Sequence, residues 1–149
     1  MILGIFGPTG QPFIEGYLTL PRFDITRTIT FLVDTGADAT CIHPRDGRPA
    51  GIPFDQLRDD IVSRGVGGRA TYFREPAILE FVDGEARTIH GCEVTVNIAK
   101  PGERATDAIN TIYSLLGRDI IDRWRMVYDR SEGILEFTVR SAGAVLDSE

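Results

Sequence analysis

The chain has 149 residues, 42% hydrophobic and 26% charged, which suits one compact domain able to bury a core without disulfides or a structural metal. No run nears the roughly 20 apolar residues of a membrane helix, and the net charge of -6, from 22 acidic and 16 basic residues interspersed along the chain, leaves no basic stripe for nucleic acid. Cys41 and Cys92 form no Cys-x-x-Cys pair, and the apolar start Met1 to Gly7 lacks a basic leader and is broken by Pro8, Gly10 and Pro12, so neither a disulfide framework nor a secretory signal is expected and the chain reads as cytoplasmic.

In chain order, Ile14 to Leu20 and Ile25 to Val33 are the first strand-like runs, rich in Ile, Thr and Phe. Pro44 to Pro53 reads as a surface loop, and Phe54 to Asp60 as a short turn or helix. Thr71 to Phe81 and Ala86 to Val96 read as strands joined at Asp83-Gly84, a two-residue hairpin signal because glycine accepts the positive φ such a turn imposes. After a loop at Ala99 to Thr106, the stretch Arg118 to Arg125 places Ile120, Ile121 and Trp124 on one helical face. Met126 to Tyr128 and Ile134 to Val139 form a last hairpin closed by Ser131-Glu132-Gly133, and 141–149 reads as a flexible tail. The pattern predicts a single all-β domain with its core over about 14–139 and one short helix near the C-terminus.

Phe31-Leu32-Val33-Asp34-Thr35-Gly36-Ala37-Asp38 is the informative run. An apolar strand ends in a carboxylate, then a hydroxyl, then a glycine that lets the chain turn, so Asp34 stands at the rim of a rigid sheet. Asp-Thr-Gly alone is also what an ordinary Asx turn looks like. Far downstream, Leu115-Leu116-Gly117-Arg118-Asp119 adds two apolar residues, a glycine and a helix start. With both motifs in this order, and Gly65-Val66-Gly67-Gly68 between them, the chain from Ile14 to Val139 resembles the retropepsin-like aspartic peptidases.

That resemblance implies an acid-protease closed barrel, with Asp34 as the catalytic carboxylate. Thr35 would lock the active-site loops of two chains together, and Gly36 would offer its carbonyl to substrate. Ala37 stands where retroviral members also carry Ala and pepsins carry Ser or Thr; without that hydroxyl one hydrogen bond to the carboxylate is missing, which would favour a less acidic working range. Asp38 would contact the substrate backbone and pair with Arg118 in a semi-buried brace, against the alternative of a solvated surface contact. Gly65, Val66, Gly67 and Gly68 would form the tip of a flap over an extended peptide, with Arg64 and Arg69 beside it suiting acidic or polar substrate side chains.

Hydrolysis by this route needs two carboxyl groups sharing a proton. The chain carries one Asp-Thr-Gly and no second Asp-Thr/Ser-Gly, so a homodimer is implied, with a peptide or protein substrate and no cofactor. The C-terminal hairpin is longer than in retroviral members and looks like the cellular and bacterial branch; it either carries dimer contact or covers its own core. A weakly catalytic peptide-binding module on the same fold is the alternative reading. Asp34, Asp38, His43 and Asp46 lack tight metal-ligand spacing, so no metal site is expected, and His43 and His90 read as satisfied structural residues.

Overall fold

Alternation of apolar and polar residues with period two builds most of the molecule from strands. A computed structural model of the protein describes residues 1–65 and 68–147, with the backbone alone for 63–65 and 68. In chain order the elements are β1 (Ile2–Leu3), β2 (Ile5–Phe6), β3 (Pro12–Leu20), β4 (Ile25–Val33), β5 (Cys41–Ile42), α1 (Pro44–Ala50), β6 (Asp60–Gly65), β7 (Gly68–Asp83), β8 (Thr88–Ala99), α2 (Ala108–Thr111), β9 (Leu115–Leu116), α3 (Arg118–Ile121), β10 (Trp124–Asp129), β11 (Ile134–Val139) and β12 (Ala144–Asp147). The strands β3, β4, β9, β5, β8 and β7 pair in a ring, a closed six-strand barrel. Beside it, β1, β11 and β10 make a small antiparallel sheet.

Inward side chains follow the strand period. Ile29, Phe31 and Val33 of β4 meet Ile14, Leu18 and Leu20 of β3, Leu79 and Phe81 of β7, and Val96 and Ile98 of β8 in one core. The small sheet closes one end of it: Trp124 sets its ring edge against Phe81 at 4.8 Å and Phe137 at 5.3 Å, and Leu135 and Phe137 are buried. The C-terminal hairpin therefore commits its inner face to its own core.

Several local expectations change. Residues 44–50 form α1 rather than a loop, because Pro44 occupies the first helical turn, where its missing N–H is no loss, and Gly51 ends the helix with φ of 79°. The hairpin at Asp83-Gly84 is present, but its turn spans 84–87, with Asp83 paired to Thr88 and the positive φ on Arg87, so it is not a two-residue turn. Asp83 is instead a strand end whose carboxylate accepts from the Ala86 N–H at 3.0 Å. The C-terminal helix stops at Ile121, and Trp124 already opens a strand. The segment read as a tail pairs with β8 over Ala144–Asp147, and its side chains stay exposed. His90 is not fully satisfied: its buried Nδ1 lacks a hydrogen-bond partner among the described residues.

Phe137 is fully buried at the junction of the barrel and the small sheet. Phe137→Ala is expected to cost about 3–5 kcal/mol, read as a fall in the urea midpoint with an unchanged slope.

Candidate active site

Asp34 follows β4 where that strand runs parallel to β9, with Leu32 opposite Leu115 and Val33 opposite Leu116. The ladder continues into the loop. Leu32 N–H donates to Ser114 O at 2.9 Å, and Asp34 N–H to Leu116 O at 3.0 Å, so the backbone of Asp34 is the last rung of a buried sheet. Beyond it the chain turns back on its own carboxylate. Gly36 N–H donates to Asp34 Oδ1 at 2.8 Å, and Ala37 N–H to Asp34 O at 3.2 Å. The second carboxylate oxygen, Oδ2, accepts no hydrogen bond from the described residues, and the side chain is half-buried. Thr35 and Gly36 are exposed and Ala37 is half-buried on the same loop.

A second segment straps this loop down. Arg118 N–H donates to Ala37 O at 2.8 Å, and Asp119 N–H to Asp38 O at 3.2 Å. Thr40, fully buried, donates its N–H to both Asp119 carboxylate oxygens at 3.1 and 3.0 Å and its hydroxyl to Oδ1 at 2.8 Å. The same hydroxyl accepts from Gly117 N–H at 3.2 Å. A Cβ on Gly117 would lie 2.5 Å from the carbonyl carbon of Ala39, so only glycine lets the two backbones touch.

Arg118 and Asp38 do form an ion pair, but with side chains 45% and 88% exposed it is a solvated contact in the single chain, not a semi-buried brace. The brace is Thr40 with Asp119. Sequence reasoning gave these two no role, although Asp119 lay inside the second motif. The one signal within the sequence was a carboxylate in the first turn of the expected helix Arg118 to Arg125.

Cys41 sits beside the loop. Burial, reinforced by the charges of Asp119 and Asp34 and opposed by a hydrogen bond with Asn97, pushes its thiol up to about 12, so it stays protonated and is no nucleophile near neutral pH. Cys41 packs on Tyr72 of β7, which is buried with Ala99 and Ile109. Tyr72 belongs to the strand that leaves the β6–β7 hairpin, whose last described pair is Gly65 with Gly68. Val66 and Gly67, at the expected flap tip, lie outside the described residues. Both ring nitrogens of His43 are occupied by Tyr113 O and Tyr72 Oη, and Asp46 is bonded to Ser114, so the weighed ligand set of Asp34, Asp38, His43 and Asp46 does not converge.

A family model described as aspartyl protease matches residues 22–120. No curated protein matches the chain in sequence. Among solved structures, the fold is that of a retropepsin-like aspartic protease from Rickettsia conorii, with a TM-score of 0.54 and 18% identity over 91% of this chain and 86% of that one. EIAV protease complexed with the inhibitor HBY-793 gives a TM-score of 0.47 and 17% identity over 78% and 90% of the two chains. The retroviral protease-like domain of Ddi1 from Leishmania major gives 0.43 and 13% over 94% and 96%.

Thr40→Val strands the buried Gly117 N–H and leaves the Asp119 carboxylate only the Thr40 backbone N–H as donor from that residue, and is expected to cost about 1–3 kcal/mol. Arg118→Ala, which removes a solvated pair, is expected to cost less than about 1 kcal/mol in the single chain; urea unfolding of both variants measures the contrast. Iodoacetamide at pH 7.5 is expected to leave Cys41 unmodified in the folded protein and to label it after unfolding, as mass spectrometry reads directly.

Proposed function

The chain belongs to the aspartyl protease family, and on that premise we propose that it is an aspartic endopeptidase whose site forms when two copies bring their Asp34 carboxylates together. One carboxylate, ionised, takes a proton from water as the water attacks the scissile carbonyl; the other, protonated, gives its proton to the carbonyl oxygen. Like charges at close range keep the pair from ionising together, which is how two identical side chains take opposite roles.

The observation that carries this reading is the disposition of Asp34. One oxygen is held by the Gly36 N–H, while Oδ2 accepts nothing from the described residues, on a loop strapped at Ala37, Asp38 and Thr40. Such a group is oriented yet keeps a lone pair for chemistry. Thr35 supports the dimer: its hydroxyl makes no hydrogen bond among the described residues and is exposed, so it is available to grip the partner loop. Gly36 and Asp38 on the loop rim are assigned to the substrate backbone, and Gly65, Val66, Gly67 and Gly68 to a covering flap. The Arg118–Asp38 pair, solvated in one chain, is assigned to the subunit boundary, where a partner would shield it.

A casein or peptide-library digest between acidic and neutral pH, with and without a statine-type inhibitor, tests the activity. Inhibitor-sensitive cleavage is expected from a species twice the mass of one chain in light scattering. Asp34→Asn is expected to lower kcat on the order of a thousandfold or more with an unchanged unfolding midpoint. Cleavage retained by that variant, or peptide binding without turnover by the unmodified protein, removes the assignment.

A further inference from the structure

His43 is fully buried and joins parts of the chain that are far apart in sequence. It follows β5 and precedes α1. Its N–H donates to Ser114 Oγ at 3.0 Å, and Ser114 in turn donates its hydroxyl to Asp46 of α1 at 2.6 Å. Its Nδ1 lies 2.6 Å from Tyr113 O. A carbonyl only accepts, so Nδ1 carries the ring proton and Nε2 is left as an acceptor. Tyr72 Oη stands 3.1 Å from Nε2 and must be the donor. Burial, helped by Cys41, pushes the Tyr72 hydroxyl up to about 12, so it has its proton to give.

We infer that His43 is a positioning residue: it latches the strand leaving the β6–β7 hairpin to the body of the barrel beside Asp34, and protonation at Nε2 releases the latch. That the released strand bears on substrate rests on the peptidase reading above; the latch itself does not.

A proton on Nε2 turns the acceptor into a donor. The Tyr72 hydroxyl must then rotate its own hydrogen away, and among the described residues it has no other acceptor. The charges around the ring do not rescue the imidazolium. From α1, Asp46 already accepts from the Ser114 hydroxyl and N–H, and Arg45 lies over the Tyr113 ring at 3.8 Å; from β5 and β7 come a thiol and a phenol, both neutral; the segment before β9 offers Tyr113 and Ser114. Burial accordingly holds His43 below its usual 6.5, with the Tyr113 carbonyl and Asp46 only partly opposing.

The sign follows. The latched state has the lower pKa and the released state, with the ring in water, the ordinary one, so the latched state is fully favoured above 6.5 and loses ground as pH falls through it. The gain in opening is at most tenfold per pH unit, because one proton is linked, and it ends once the lowered pKa is passed.

Hydrogen exchange on the full chain without substrate, from pH 7.5 to 5, tests the latch. After correction for intrinsic rates, opening at amides 69–73 is expected to rise by up to about tenfold per pH unit below 6.5, while amides of β3 and β4 hold steady. His43→Gln keeps a donor for Tyr113 and an acceptor for Tyr72 without titrating, and is expected to flatten the profile. Should that variant not fold, ring NMR of the unmodified protein replaces it; with two histidines in the chain, His43 is separable from His90, and its titration is expected to coincide with shifts of amides 69–73. Tyr72→Phe is expected to raise opening at pH 7.5 by about fivefold or more, the worth of one hydrogen bond. A flat profile in the unmodified protein, the same profile in His43→Gln, or a His43 titration without change at 69–73 overturns the inference. In the peptidase assay, KM is expected to rise below 6.5 in the unmodified protein and not in His43→Gln. A pH-dependent latch in a protein that cleaves nothing leaves this inference standing and removes the peptidase reading; cleavage with a flat exchange profile does the reverse.

Discussion

Thr40 and Asp119 stand 79 residues apart in sequence, and Thr40 donates three hydrogen bonds to the Asp119 carboxylate, with a fourth from Gly117 N–H to the Thr40 hydroxyl. This contact turns a loop into a fixed point. Closing so long a segment costs entropy, though slowly with length, and the cost is met once for the whole barrel because β4 and β9 are already paired beneath. With Thr40 and Gly117 at one end and the Asp34 N–H to Leu116 O bond at the other, the intervening turn has little freedom left. Asp34 is consequently oriented by the Gly36 N–H and a sheet edge, and among the described residues no side chain bonds its carboxylate.

The β6–β7 hairpin is held in another way. The β6–β7 hairpin grows out of a strand anchored by pairing with β8 and by the contact of Tyr72 with His43. The core beneath is dense: Phe31, Phe81, Phe137 and Leu116 are all fully buried. The polar cluster around His43 is the place where the same interior is hydrogen-bonded instead of merely packed, and it joins the segment before β9 to the strand that leads to the hairpin. A buried histidine with both nitrogens taken is a costly way to join two elements unless its chemistry is used, since an apolar pair of the same shape would serve stability as well.

Legibility varied with length and with how far away the partner lay. The runs Ile25 to Val33 and Ile134 to Val139 coincide with β4 and β11 because their period-two patterns are long enough to be seen. The two-residue strands β5 and β9 and the terminal strands β1, β2 and β12 escaped, since two to four residues carry no period; only pairing across the sheet makes them strands. Pro44 to Ala50 misled because Pro and Gly usually break helices, while here Pro44 starts one and Gly51 ends it. Asp34 was conspicuous from its neighbours in sequence. Thr40 was not, because its importance lies wholly in a residue 79 positions away.

The sequence by itself determined the strand-rich class, the glycine turn that sets Asp34 at a strand end, and the second glycine motif, because each depends on residues adjacent in the chain. Tertiary structure alone decided which polar groups do the bracing, that the Arg118–Asp38 pair is solvated in the single chain, and that His43 is buried against Tyr72. The physical reason is that a hydrogen bond or an ion pair takes its worth from burial and from the partner it finds, and neither quantity is a property of a short stretch of chain.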